Sequence, residues 1–184
     1  MRNKLLRCTI ISWFFTFSLV AQPPNPLIEN DFPTSWLGEW VGELQIYNAI
    51  DLQQSLPMQL IIQPLEGTND FTFTIIYGID VKAGTRSYIL ETIDAEKGHY
   101  KINEQNSIKI DAYLLGDKLV QRFEVMGNLL DTFIEKRGDN LVWEIFMGKM
   151  EGQKTGDTVH QGDTIPPVQT FPMRVYQKCV LSKI

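Results

Sequence analysis

"TSWLGEWVGELQIYN", running from Thr34 to Asn48, is the stretch whose reading decides the fold. Its residues sort by twos. Trp36, Gly38, Trp40, Gly42, Leu44 and Ile46 fall on one side, and Leu37, Glu39, Val41, Glu43, Gln45 and Tyr47 on the other. A helix would return to the same face every 3.6 residues, whereas a period of two belongs to a strand with one face in a core. Glycines on the same face as indoles have a use in such a strand, because they let it bend and let another backbone approach closely.

The same period recurs along the chain. "PMQLIIQPL" sets Met58, Leu60 and Ile62 together, and "FTFTIIYG" does so with Phe71, Phe73, Ile75 and Tyr77. "RSYILETI" offers Tyr88, Leu90 and Thr92. "SIKIDAYLL" offers Ile108, Ile110, Ala112 and Leu114, and "KLVQRFEVM" offers Leu119, Phe123 and Val125. "NLVWEIFM" aligns Leu141, Trp143, Ile145 and Met147, and "TFPMRVYQKCVL" closes the series. Short polar segments such as "EGTND", "DAEKGH", "GDK" and "KRGDN" separate the runs and read as hairpin turns. No amphipathic helix of useful length interrupts them. About ten short strands joined this way predict an all-β fold, an antiparallel up-and-down meander. Closure into a β-barrel removes the exposed edges that so long a meander would otherwise carry.

One connection departs from the pattern. Residues 148–169, "GKMEGQKTGDTVHQGDTIPPVQ", are polar and glycine-rich and are expected to form a long loop with a role of its own. Within it Asp157, His160 and Asp163 stand at three-residue intervals, donors of the kind a divalent metal takes, although ordering a loop around an ion opposes it.

With 184 residues, 43% hydrophobic and 21% charged, the chain can bury a core. The net charge of −5 is dispersed, and the cationic residues do not cluster, so nothing favours nucleic acid as a partner. "MRNKLLR" followed by the short apolar run "CTIISWFFTFSLV" and a small residue, Ala21, reads as a secretory signal peptide over residues 1–21. The expected organisation is then a proline-rich leader over 22–35 and a single barrel domain over 36–184, secreted or periplasmic, with no membrane span in the mature chain. Its one remaining cysteine, Cys179, cannot form an internal disulfide and is expected as a small buried hydrophobe.

Gly38-Glu39-Trp40 near the start of the first strand of a meandering barrel resembles the calycins, the lipocalins and fatty-acid-binding proteins among them. The resemblance implies that Trp40 closes one end of the barrel and that a basic residue of the last strand packs over it, for which Arg174 is the candidate. The pair Arg174 and Tyr176 is also similar to the Arg-x-Tyr that holds a fatty-acid carboxylate in the fatty-acid-binding proteins. The helical lid of that family has no counterpart, because the interval from Asn48 to Pro57 is too short for one. "WLGEW" followed later by "TRSYIL" is similar in layout to the chromophore lyases, which would bring Arg86 and Tyr88 into play.

Two uses of the last strand stay open. Arg174 and Tyr176 form an anion clamp inside the barrel, since a guanidinium takes a carboxylate bidentately, or Arg174 caps Trp40 and Tyr176 is core. The inward aromatics Trp40, Phe73, Tyr77, Tyr88, Phe123 and Trp143 either line a cavity or fill it. Hydrolase, phosphate-loop and dinucleotide signatures are absent, and no cofactor is implied. The expected function is binding of a small hydrophobic or amphipathic molecule within the barrel. The rival expectations are an interaction protein with a filled barrel acting through residues 148–169, and a chromophore-lyase-like enzyme.

Overall fold

The computed structural model describes residues 31–184. The expected signal peptide lies outside the described residues. In chain order the strands are β1 (Gly38–Tyr47), β2 (Leu52–Pro64), β3 (Phe71–Tyr77), β4 (Thr85–Asp94), β5 (His99–Asn103), β6 (Lys109–Leu115) and β7 (Lys118–Val125). They continue as β8 (Asn128–Arg137), β9 (Asn140–Lys149), β10 (Gln153–Thr155), β11 (Thr158–His160), β12 (Asp163–Ile165), β13 (Val168–Thr170) and β14 (Met173–Lys183). Ten of them form one closed antiparallel barrel in the order β1-β14-β9-β8-β7-β6-β5-β4-β3-β2. The first and last barrel strands meet, so the meander closes on itself. Among the described residues helix is confined to α1 (Val81–Gly84) and two 3-10 turns, Thr34–Trp36 and Ala95–Lys97. Among the described residues no helix is long and apolar enough to cross a membrane.

Closure between β1 and β14 rests on Gly42. A Cβ there would stand 2.3 Å from the carbonyl oxygen of Val180 and 2.8 Å from Cys179 Sγ. The two strands pair from Trp40↔Lys183 to Tyr47↔Tyr176, and only hydrogen at position 42 leaves room for that approach. Cys179 is itself buried, and burial pushes its thiol up to about 12.

The end of the barrel at which β1 begins is solid. Trp40 is 1% exposed, and its indole Nε1 donates to the carbonyl of Trp36 at 2.8 Å. Phe32 packs edge-on against Trp36 and Tyr100, with ring centroids 4.7 and 4.9 Å away. The last residues of the expected leader are therefore part of the stopper and not an extended lead-in. Both Phe32 and the Thr34–Trp36 turn carry apolar rings whose burial holds them there. Leu60, Ile62, Leu90, Ile134, Leu141 and Leu181 complete this half of the core.

The basic residue over Trp40 is Lys183, whose Nζ sits 5.5 Å from the ring centroid, and not Arg174. Its stem runs past Gly38, where a Cβ would come within 2.6 Å of Lys183 Cε. Arg174 lies at the opposite end of β14 and is exposed.

Residues 148–169 are not an unstructured loop. β10 pairs with β13 and β11 with β12, giving a ribbon whose strand residues are all exposed. Its tip is the two-residue turn Gln161-Gly162, both at positive φ (51° and 92°), which suits the twist of a hairpin. The ribbon strands hold at most one apolar residue each, Val159, Ile165 and Val168, which leaves no hydrophobic period from which strands could be read. Asp157, His160 and Asp163 are not gathered into a site, and no group of three metal-ligating side chains assembles among the described residues.

One outer-face ion pair network is predicted to be visible in the pH dependence of stability. Glu135 on β8 accepts from Arg137 at 2.6 Å and from Lys118 on β7, and these bonds hold its carboxyl down at about 2. A carboxyl lowered in the folded state is protonated first in the unfolded chain. Its contribution is therefore full above the ordinary carboxylate range and is lost as pH falls through that range toward about 2. Exposed partners limit it to about 1 kcal/mol. Urea midpoints of wild type and Glu135→Gln should differ at pH 6 and converge near pH 2.

Candidate functional site

Beyond the stopper, the inward positions of the other half of the barrel do not close up. A cavity of about 120 Å³ lies there, walled by Phe73, Ile75, Ile102, Ile110, Phe123 and Ile145 and reached by Tyr77, Tyr88, Gln121, Thr132 and Trp143. Alternation along each strand aims these side chains inward. Ten strands enclose more space than this set of side chains occupies.

The polar groups of the cavity distinguish it from a packing defect. Trp143 is 5% exposed, and its indole Nε1–H has no hydrogen-bond acceptor among the described residues. A buried donor left unpaired costs about 1–3 kcal/mol. Gln121 and Thr132 face each other across β7 and β8 and are the buried polar side chains of the described core, 8% and 4% exposed. Burial pushes the Tyr77 hydroxyl up to about 12, with a smaller push from Tyr88 and an opposing pull from Arg86, so it stays protonated as a neutral donor. Tyr88 is raised as well, by burial and by the neighbouring carboxylate of Glu104. Together these give a chamber with apolar walls, several uncharged hydrogen-bonding groups and one carboxylate residue, Glu104, on its lining, and the Trp143 N–H is the buried donor wanting a partner.

The residues expected at the site divide sharply. Phe73, Tyr77, Tyr88, Phe123 and Trp143 do line the cavity. Trp40 does not, being part of the stopper. Arg174 and Tyr176 are outside the barrel altogether. The inward positions of β14 are those of Cys179 and Leu181, so Tyr176 has the opposite parity. Its ring stacks on Tyr47 and Phe146, and its hydroxyl donates to Glu144 Oε1 at 2.5 Å. Arg174 is the residue at which pairing with β9 skips, between Met173↔Gly148 and Val175↔Met147, a bulge that turns it to solvent. The expected internal anion clamp is therefore not formed. Arg86 sits at the rim, and its Nη1 donates to the carbonyls of Ala83 and Thr85, each at 2.9 Å.

Gln121 and Thr132 escaped sequence reasoning because a hydrophobic pattern passes over polar residues. Their parity with Leu119 and Ile134 on the same strands is the signal that marks them as inward. His99 stacks on Tyr113 and bonds Asp111 through Nε2 at 2.7 Å, on the outer surface.

The wall beside the cavity is incomplete. β6 and β7 pair only from Tyr113↔Val120 to Leu115↔Lys118, next to their turn. Beyond that, Lys109–Ala112 and Gln121–Val125 run on without pairing to each other, and a cleft of about 530 Å³ opens between them.

Comparison with known proteins places the chain by its fold alone. No family model matches it, and no curated protein does. Among solved structures, a protein of unknown function from the DUF3598 family of Nostoc punctiforme PCC 73102 is similar in fold, at a TM-score of 0.56 and 12% identity. The match covers 82% of this chain and 48% of that one, so the chain spans about half the length of its structural neighbour.

Proposed function

We infer that this protein binds a small, predominantly apolar molecule inside the barrel, in the cavity beside Trp143. The observation that carries it is the buried, unpartnered indole N–H of Trp143 beside a cavity walled largely by apolar side chains. A ligand oxygen accepting from it would recover what burial costs, and Gln121, Thr132 and Tyr77 offer further contacts for a polar end. An engineered apolar cavity of about 150 Å³ takes up benzene, so the chamber suits a group of that order. The resemblance to calycin carriers supports the same reading, and the signal-peptide-like residues 1–21 support a role outside the cytoplasm.

A small ketone tests it. In ¹⁵N–¹H spectra, titration with 2-butanone should shift the Trp143 indole resonance downfield and saturate. That resonance is assigned by its loss in Trp143→Phe, and the variant should bind the ketone about tenfold more weakly, the factor for one hydrogen bond of about 1.4 kcal/mol. A Trp143 resonance that stays put throughout the titration would falsify the inference.

A further inference from the structure

The cleft between β6 and β7 is more than a groove on the surface. Residues from both faces of each strand border it: Ile110 and Phe123 from the inward set, Asp111 and Arg122 from the outward set. It therefore passes through the wall. Glu104, Ile110 and Phe123 line the cleft and the internal cavity alike, so the two meet at these three side chains. At about 120 Å³ the cavity alone is smaller than the usual small-molecule pocket, whereas the cleft adds about 530 Å³ bordered by Ile108 and Val125, both about half exposed to solvent.

Charge narrows the occupant further. The cations of the cleft are already engaged, Arg122 with Asp131 at 2.5 Å and Lys109 with Glu91 at 2.8 Å. The carboxylate of Glu104 stands where cleft and cavity join. An anionic head group would meet that carboxylate and no free cation on the way, whereas an uncharged oxygen acceptor would meet the Trp143 N–H.

Resting on the cavity reading above, we propose that the ligand is an uncharged amphiphile that enters sideways between β6 and β7. Its compact oxygen-bearing head accepts from Trp143 Nε1–H in the cavity, and its apolar tail lies in the cleft against Ile110, Phe123, Ile108 and Val125. The open stretch of wall is then a portal, and the strand pair whose hydrogen bonds end at Tyr113↔Val120 is its frame.

A series of linear 2-alkanones from 2-butanone to 2-nonanone, bound to the full chain and followed by the Trp143 indole resonance, tests this. Affinity should climb about fourfold per added methylene as the tail enters the cleft. Nuclear Overhauser contacts should run from the tail methyl to Ile108 and Val125, and hexanoate should bind more weakly than 2-heptanone. The surface variants Ile108→Glu and Val125→Glu should flatten the climb. If affinity stops rising after the shortest ketones, if the tail methyl contacts Tyr77 and Arg86 instead, or if hexanoate binds more tightly, the portal proposal is overturned while the cavity reading stands. If no member moves the Trp143 resonance, both are overturned.

Discussion

Gly42→Ala is expected to destabilise the barrel by about 3 kcal/mol, the upper end of what one added methyl costs in a packed site. The reason is the identity of the obstacle. The new Cβ would lie 2.3 Å from a backbone carbonyl oxygen, that of Val180, and no side-chain rotation can remove it. β14 would have to move away from β1, and the pairs from Trp40↔Lys183 to Tyr47↔Tyr176 are those that close the barrel. Two companions isolate the cause. Gly67→Ala introduces a Cβ at φ +75° into open space, so it carries only the left-handed penalty of about 1–2 kcal/mol. Gly42→Ala combined with Cys179→Ala should regain little, because the carbonyl is nearer than the thiol. Urea unfolding monitored by tryptophan fluorescence and by far-ultraviolet dichroism reads all three. A Gly42→Ala loss below that of Gly67→Ala would show that closure does not depend on this contact.

Trp40→Ala should cost about 3–5 kcal/mol, as aromatic truncations in cores do. Trp40 is 1% exposed and anchors the Trp36 carbonyl, and removing it leaves Phe32, Trp36 and Tyr100 facing a void. Lys183→Ala should cost about 0.5–1 kcal/mol, the worth of an exposed cation over an indole. Arg174→Ala, at an exposed bulge, should fall within about 0.5 kcal/mol of wild type. The ranking separates a stopper held by apolar mass from one held by its cation, and it uses the same denaturation experiment. A Lys183→Ala loss rivalling that of Trp40→Ala would reverse it.

The misplacement of Arg174 has a simple geometric source. Adjacent strands in this barrel are antiparallel, so the beginning of β1 meets the end of β14, and Trp40 pairs with Lys183. Arg174, at the start of β14, must lie near the end of β1. That much follows from connectivity, and Lys183 was available on the inward parity of Cys179 and Leu181. The bulge at Arg174 is a different matter, because an extra residue reverses parity and leaves no mark in composition. Tyr176 shows the same limit. An aromatic residue in an alternating strand suggests core, yet here it joins Tyr47 and Phe146 in an outer stack. Buried Gln121 and Thr132 are the converse, polar residues at positions a hydrophobic period passes over.

The alternation from Trp36 onward was enough to determine an antiparallel barrel of about ten strands, because period two and tight turns are local properties carried by neighbouring residues. It was also enough to bring Phe73, Tyr77, Tyr88, Phe123 and Trp143 to one interior, since parity along a strand dictates which way each points. Tertiary structure alone decided the rest. The size of the chamber is a difference between the volume ten strands enclose and the volume their side chains fill. The orphaned Trp143 N–H depends on what no neighbour supplies, and the opening between β6 and β7 depends on where two strands stop pairing. Each is a relation between segments distant in the chain or an absence of contact, and neither is written in the residues that take part.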